Sequence, residues 1–254
     1  MRAILIMFAT YTRIPMPQIQ WDEKSARYAI CAFPLVGIAI SLVQWGLLLL
    51  MNRVSVPAAA QACVLIAAVI LITGGIHLDG LIDTADARSS YADREKKLQI
   101  LKDPHVGAFG ILRLALYLML VFTGLDTVLS HDLGPKALFA ALLIPVFSRA
   151  CSGLAAELLP RARKSGMLTD LIGEEAPEGT TVFLAVWLAA CIVALFAEPP
   201  FALLYLAAQA LLTMYYRCMA IREFGGVTGD LAGWYLCMSE LVGVWALAIA
   251  GWIR

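Results

Sequence analysis

Three aspartates, Asp79, Asp83 and Asp86, follow a long apolar run with the spacing i, i+4 and i+7. Each residue of a helix turns by about 100°, so on a helix these carboxylates lie within about 60° of one another. Carboxylates this close repel, and near lipid they need a counter-charge. Oxygen ligands at this spacing suit a hard divalent cation, so we predict Mg²⁺ bridging to a substrate phosphate. The alternative is a solvated acidic face.

A second candidate segment combines charged residues with glycines ahead of an apolar run. Lys102, Asp103 and His105 stand just before Gly107 and Gly110. Free N–H groups at the start of a helix bind anions. The segment therefore predicts a phosphate site that includes Lys102, His105 and Gly107. An ordinary loop-to-helix turn is the alternative.

A third candidate segment, Gly225–Asp230, is rich in glycine and also holds Thr228 and Gly229. Glycine-rich turns with such side chains can hold a phosphate and a metal ion together. We predict Thr228 and Gly229 as substrate-binding residues and Asp230 as a fourth metal ligand. Gly75, before the aspartates, is a further substrate-binding candidate because glycine allows a close approach of the backbone.

Four residues are candidates for catalysis: His77, Asp103, Arg149 and Glu240. His77 could bind phosphate or transfer a proton, or be an interfacial histidine. An arginine inside an apolar run is costly, so Arg149 must face a partner or a cavity. Glu157, Glu240 and a substrate phosphate are its candidate partners.

Composition assigns the chain to a class. Of 254 residues, 61% are hydrophobic, 15% are charged, and the mean hydropathy is +0.80. Soluble domains are nearer half apolar and could not bury this much apolar surface. We predict an all-α, polytopic membrane bundle that forms one domain over residues 1–254. There is no basic excess, which argues against nucleic acid as a partner.

Apolar runs of about 20 residues mark candidate membrane spans. Residues 1–28 are predicted as an interfacial N-terminal segment, and residues 77–109 as a cytoplasmic active-site loop. The seven predicted spans are 29–51, 59–76, 110–130, 135–158, 180–197, 199–216 and 233–253.

Lysines and arginines orient these spans. Most lie in the N-terminal segment and after the second, fourth and sixth spans, whereas Arg53, Lys136 and Arg254 lie on the other side. The positive-inside rule then places the N-terminus and the candidate site on the cytoplasmic side.

The combination of acids, glycine turns and cations indicates phosphoryl transfer. Acids can hold a metal, glycine turns and cations can hold phosphates, and a carboxylate or histidine can take a hydroxyl proton. The chain has no nucleophilic triad and no Walker loop. We therefore predict direct attack by an acceptor hydroxyl on a metal-bound phosphate ester.

The block GGIHLDGLIDTAD, residues 74–86, resembles the signature of the cobalamin synthase family, the adenosylcobinamide-GDP ribazoletransferases. Four further blocks resemble the family in the same order: TRIPMP, REKKLQILKDPHVGAFG, SRACSG and GGVTGDLAGWYLCMSELV. The resemblance spans nearly the whole chain. It departs at Ala87 and Arg88, where the family usually follows the third acid with glycine.

This resemblance implies a late step of vitamin B12 assembly at the cell inner membrane. Adenosylcobinamide phosphate would pass from adenosylcobinamide-GDP to α-ribazole or its 5′-phosphate, with release of GMP and with Mg²⁺ as cofactor. It implies metal and phosphate roles for Asp79, Asp83 and Asp86. The other site members that it supports are His77, Lys102, Asp103, Arg149, Thr228, Asp230 and Glu240.

Two other enzyme classes and a transporter are alternative hypotheses. The order Asp79-Gly80 and later Ala87-Arg88 faintly resembles a CDP-alcohol phosphotransferase, although the spacing is wrong. A UbiA-type prenyltransferase would need a second Asp-rich motif. A cation or small-molecule transporter would spread its acids along several spans near the midplane. Formation of a homo-oligomer, or association with other corrinoid-pathway proteins, is not decided by the sequence.

Overall fold

The computed structural model describes residues 1–18, 22–131, 134–163, 166–173 and 177–253. Arg254, which entered the orientation argument, lies outside these residues. The described chain is helical, with a 3-10 turn at Ala29–Ala32, a π-helical turn at Ala220–Phe224, and no strand. The helices are α1 (Arg2–Tyr11), α2 (Glu23–Arg27), α3 (Phe33–Arg53), α4 (Ala58–Thr73), α5 (Ile76–Ser89), α6 (Arg94–Ile100), α7 (Ala108–Ser130), α8 (Pro135–Leu158), α9 (Met167–Ile172), α10 (Thr180–Leu195), α11 (Pro199–Met219) and α12 (Gly229–Trp252).

The all-α membrane architecture predicted from composition is confirmed. Within the described chain, four helical segments are long and apolar enough to cross a membrane: Ala29–Arg53, α7, α8 and α12. The bent pair of α4 and α5 makes a fifth if it is counted as one span. Helix α10 is apolar but has only 16 residues. The count of seven spans and the cytoplasmic N-terminus stay predictions.

Helices α8 and α12 form the centre of the bundle. Helix α8 packs against α3, α10 and α12, and α12 packs in turn against α5, α7 and α11. Two thirds of the apolar window of α8 is buried inside the protein, against less than a fifth of that of α7. A central helix can therefore carry a buried charge, whereas α7 presents most of its surface outward.

The glycine pair ahead of the acidic block turns the chain sharply. Gly74 and Gly75 both have left-handed backbones, with φ of 65° and 76°, and the axes of α4 and α5 meet at 92°. Residues other than glycine adopt this backbone at a cost. Arg13 holds the turn from outside, because its backbone N–H donates to the Ile72 carbonyl and its side chain lies against Gly74.

Helix α5 therefore lies across one end of the bundle. It crosses α12 at Gly80, where a β-carbon would come within 2.5 Å of the Asp230 carbonyl oxygen. On the same side of α5, Leu81 packs with Tyr117 of α7 and Cys237 of α12. These contacts bury one face of α5 and leave its other face for the acidic residues.

Candidate active site

The stretch 77–109 contains α5 and α6, and the three aspartates of the acidic block lie on one continuous helix. By helical rotation they lie roughly 180–240° around the axis from His77, on the opposite side of α5. Asp79 is exposed, while Asp83 and Asp86 are half-buried. The predicted negative stripe is thus present, and we call Asp79, Asp83 and Asp86 the acidic face.

A fourth carboxylate belongs to the same electrostatic group. The negative charges of Asp79, Asp230 and Asp86 all act on Asp83. Within the described residues, no three His, Cys, Asp or Glu side chains lie close enough together to hold a metal ion unaided. Mg²⁺ is usually held by one or two carboxylates together with substrate phosphates and waters, so these acids suit it as part of a metal–phosphate complex.

Asp86 has a role that the sequence did not reveal. Its two carboxylate oxygens accept hydrogen bonds from the backbone N–H groups of Gly107, at 2.8 Å, and Gly110, at 2.7 Å. Asp86 therefore caps the start of α7 from a different helix. The N–H groups of Gly107 and Gly110 thus have Asp86 as an anionic partner, and the phosphate site predicted at Gly107 stays a prediction. Each Asp86 oxygen retains a second lone pair, and its role as a metal ligand stays a prediction.

The segment Gly225–Asp230 lies beside the acidic face. Thr228 caps α12 by accepting a hydrogen bond from the Leu231 N–H at 3.2 Å, and its hydroxyl donates to Asp230 at 3.4 Å. Apart from chain neighbours and the local helix backbone, no atom of the described residues lies within 4 Å of where a β-carbon at Gly75 or Gly229 would stand. Open space at these two glycines leaves room for the substrate contacts predicted there.

Four cations surround this segment, and we call Arg88, Arg94, Lys97 and Arg163 the basic cluster. Glu223 pairs with Arg88 at 3.1 Å and with Lys97 at 2.8 Å. Each cation also lies over an aromatic ring, Arg88 over Tyr215 and Lys97 over Phe224. Glu223 therefore fixes two positive groups in place next to the glycine turn.

The other two members of the basic cluster approach the turn itself. The guanidinium group of Arg94 lies against Gly225 and occupies the space that a side chain there would need. Arg163 donates to the Leu98 carbonyl, and its charge acts on Asp230. Acids and cations thus meet on both sides of Gly225–Asp230.

The charge state of Glu223 follows from this pairing. Partial burial raises the pKa of Glu223. The hydrogen bonds from Lys97 and Arg88, together with their positive charges, lower this pKa by more than burial raises it. The pKa therefore lies below its usual value. Glu223 stays ionised at neutral pH and neutralises part of the basic cluster.

The predicted residues Lys102, Asp103 and His105 lie apart, in an exposed turn between α6 and α7. The Asp103 carboxylate accepts hydrogen bonds from the His105 N–H at 3.0 Å and is 2.7 Å from its ring Nδ1. These hydrogen bonds lower the pKa of Asp103. The turn is locally ordered, but no described contact joins it to the acidic face, and the roles of these three residues stay predictions.

Arg149 and Glu240 form a buried ion pair inside the bundle. Arg149 is fully buried, and its Nη1 donates to Glu240 Oε1 at 2.7 Å and to the Pro145 carbonyl at 2.9 Å. Glu157, the other candidate partner, instead accepts a hydrogen bond from Thr181. Of the two glutamates considered as partners of Arg149, the structure selects Glu240, and a substrate phosphate stays a prediction.

His77 lies on the buried side of α5, near this pair. Its ring stacks on Tyr11 with centroids 5.5 Å apart, and Phe33 lies 5.9 Å away. The residue is 6% exposed, and in the described chain its Nε2 has no hydrogen-bond partner. His77, Arg149 and Glu240 all line a cavity of about 140 Å³ between the spans.

The predicted site is therefore divided in two. The structure brings Asp79, Asp83 and Asp230 together near the glycine turn, and it places His77, Arg149 and Glu240 beneath α5. The sequence interpretation missed the basic cluster and Glu223. The block REKK, which contains Arg94 and Lys97, was the available signal, whereas nothing near Glu223 in sequence marks its two partners.

Comparisons with known proteins agree with the resemblance stated above. The family model described as cobalamin-5-phosphate synthase, CobS, matches residues 3–248. A relative from Lachnoclostridium phytofermentans, named adenosylcobinamide-GDP ribazoletransferase, is 37% identical and aligns over 98% of this chain and 94% of its own length. Relatives of the same name from Fusobacterium nucleatum and Pseudomonas fluorescens are 32% and 30% identical, over 95% and 97% of this chain and 95% and 98% of their own lengths.

No solved structure matches the chain. The family model covers nearly every residue, including the acidic face, the basic cluster and the buried pair. This chain therefore belongs to the cobalamin-5-phosphate synthase family.

Proposed function

We propose that this protein is an adenosylcobinamide-GDP ribazoletransferase whose reaction takes place between the acidic face and the basic cluster. It transfers adenosylcobinamide phosphate from adenosylcobinamide-GDP to α-ribazole or its 5′-phosphate and releases GMP. Family membership and the shared name of the relatives support this activity.

One observation carries the location of the reaction. Asp79 and Asp83 form no ion pair within the described chain, although four cations lie around the neighbouring Gly225–Asp230 segment. These carboxylates have no ion-pair partner and lie near positively charged side chains. Such a site suits a ligand that carries both negative and positive charge. A diphosphate with a divalent cation is such a ligand.

Mg²⁺ is the cofactor that this donor set fits. One or two of Asp79, Asp83 and Asp230 would hold it, with substrate phosphate oxygens and waters completing the coordination. When bound, Mg²⁺ neutralises charge on the diphosphate and makes its phosphorus more open to attack.

Side chains of the protein accept the proton and stabilise the leaving group. The acceptor hydroxyl attacks the phosphorus attached to cobinamide, a new P–O bond forms, and the bond to the GMP oxygen breaks. The hydroxyl proton passes to a carboxylate of the site, and the charge that develops on GMP is stabilised by Arg94 and Arg163. Glu223 keeps Arg88 and Lys97 in position for the same phosphate groups.

We also propose that the protein resides in the cell inner membrane with this site on the cytoplasmic side. The many lysines and arginines of the segments around the acidic face support this orientation. A nucleotide product would then be released into the cytoplasm, where nucleotides are recovered.

The test is a reconstituted reaction. Purified protein in lipid vesicles is given adenosylcobinamide-GDP with α-ribazole or its 5′-phosphate, with and without Mg²⁺, and GMP is measured. GMP release that needs both an acceptor and Mg²⁺ is expected. CDP-linked and prenyl donors are supplied in parallel, and faster turnover of either would overturn the assignment. Solute flux without product would instead indicate a transporter.

A further inference from the structure

Tyr11, the last residue of α1, packs against the first turn of α5. Its ring stacks on His77, with the two centroids 5.5 Å apart and the ring planes 19° from parallel. Phe33, at the start of α3, completes the cluster, since its ring centroid lies 4.8 Å from that of Tyr11. All three residues are buried. The helix that carries the acidic face is therefore joined at its start to the N-terminal helix by an aromatic contact.

The residues after Tyr11 hold the other side of the glycine turn. The Thr12 N–H makes the last hydrogen bond of α1, to the Phe8 carbonyl at 2.9 Å, and the backbone then becomes extended. The next amide, that of Arg13, leaves the helix and donates to the Ile72 carbonyl of α4 at 2.6 Å. This carbonyl is one of the last four of its helix, which have no partner within the helix. The end of α1 thus contacts α4 before the turn and α5 after it.

The crossing of α5 with α12 passes through two glycines. At Gly80 and Gly233, β-carbons would come within 2.5 Å and 3.2 Å of backbone oxygens of the other helix. Glycines permit this close approach but present no side chain that interlocks with the partner helix. The contacts of Leu81 and Asp86 lie further along α5. Tyr11 adds a buried side-chain contact at the start of the helix, on the side turned away from the aspartates.

The place of His77 on α5 favours a packing contact over proton transfer. A group that transfers a proton must come within hydrogen-bond reach of the group it acts on, whereas His77 faces away from the aspartates. A rotation of α5 that moved the His77 ring would also move the carboxylates. Groups that bind a metal–phosphate complex have to be placed to within about 0.5 Å. A contact that holds α5 against rotation therefore also holds Asp79 and Asp83 in place relative to Asp230.

We propose that Tyr11 is a positioning residue for the transfer reaction. Its stack with His77 holds the start of α5 against rotation, and this fixes the placement of Asp79 and Asp83. Tyr11 itself touches neither substrate nor metal. The inference rests on the proposed function of the acidic face, and it assigns His77 a packing contact in place of proton transfer.

Two substitutions separate the ring of Tyr11 from its hydroxyl, because Tyr11→Ala removes the ring and Tyr11→Phe keeps it. In lipid vesicles, Tyr11→Ala should raise the Mg²⁺ concentration for half-maximal GMP release about tenfold, as when residues that orient metal ligands are changed. The rate at saturating Mg²⁺ should change much less, because the reacting groups are intact. Tyr11→Phe should behave like wild type. Tyr28→Ala, the same change at a tyrosine that is 44% exposed, is the matched control.

A second measurement needs neither Mg²⁺ nor substrate. Hydrogen exchange of the backbone amides of α5 should be about tenfold faster in Tyr11→Ala than in wild type or Tyr11→Phe, because the start of the helix opens more easily. Exchange in α11, which packs against α12, should not change. Tyr11→Leu, which keeps apolar volume without a ring, replaces Tyr11→Ala if that variant does not give a monodisperse protein.

Three results would overturn the proposal. They are an equal Mg²⁺ requirement in Tyr11→Ala and Tyr11→Phe, exchange in α5 that does not depend on the ring, and faster exchange in α5 and α11 alike. The last result would mean that the ring stabilises the whole fold and does not position α5. A wild-type protein that releases no GMP would instead overturn the proposed function, and the two failures are distinguishable because exchange is measured without the reaction.

Discussion

Charged side chains cluster both on the acidic face of α5 and in the buried pair beneath it, but only in the pair do opposite charges neutralise each other. Arg149 and Glu240 are joined at 2.7 Å, so their charges are compensated inside the protein. Asp79 and Asp83 have no such partner in the described chain, and Asp83 is surrounded by other carboxylates. Compensated charge in a bundle core indicates a structural role, whereas uncompensated charge at its surface indicates a charged ligand.

The largest effect should come from the acidic face. Asp83→Asn keeps the size of the side chain but removes its charge, so several kcal/mol of charge stabilisation is lost with the metal. We expect GMP release to fall about 1,000-fold with an unchanged melting temperature. Glu95→Gln, on the exposed surface of α6, is the control. Turnover close to wild type in Asp83→Asn would show that this face is not the reaction centre.

The buried pair should respond through stability. Arg149→Met leaves the partly buried Glu240 without its partner, which costs up to about 3–5 kcal/mol when the remaining charge is fully buried. We expect a large fall in melting temperature, and the double change Arg149→Met with Glu240→Gln should recover most of it. If the single variant is as stable as wild type but inactive, Arg149 belongs with the reacting groups and the division into two regions is wrong.

Asp86 allows a finer distinction, because it belongs to the acidic face but caps α7. Asparagine has one acceptor oxygen and can keep one of the two hydrogen bonds that Asp86 accepts, whereas alanine keeps neither. If the cap is its main role, Asp86→Asn should retain most activity and lose less stability than Asp86→Ala, which should lose about 1–2 kcal/mol. Thermal unfolding and GMP release are measured side by side. A loss of activity in Asp86→Asn as large as that in Asp83→Asn would assign Asp86 to the metal instead.

The smallest effect concerns Glu223 and pH. Because its pKa in the folded protein lies below its usual 4.5, its pairing stabilises the fold above that pH. The contribution is lost progressively as the pH falls below 4.5. Glu223→Gln should therefore melt slightly lower than wild type at pH 7, and the difference should vanish in acid. A difference that is constant down to pH 3 would contradict the ion pairing.

The sequence predicted the helical membrane class and the shared face of the three aspartates, because each depends on local composition or spacing. The capping of α7 by Asp86 was not predictable, because the two partners are more than 20 residues apart. The same reason hid the pairing of Glu223 with Arg88 and Lys97.

Because α5 has two opposite faces, the sequence block 74–86 contributes residues to two separate sites. His77 and Asp79 are neighbours in sequence, and their spacing alone did not tell which side each would occupy. The crossing of α5 with α12 at Gly80 and the packing of Leu81 against Tyr117 fix that orientation. Spacing predicts which residues share a face, but packing decides what that face contacts.

Helix α4 has a consequence for the membrane around this protein. Its 16 residues reach about 24 Å, which is roughly 6 Å less than the thickness of a typical hydrocarbon core. If α4 begins at one surface of the hydrocarbon core, the glycine turn that follows it lies below the head groups of the opposite leaflet unless the lipids thin locally. Vesicles made from shorter-chain lipids should therefore accommodate the protein with less distortion. In such thinner bilayers, water-soluble nucleotides should reach the carboxylates of α5 more easily.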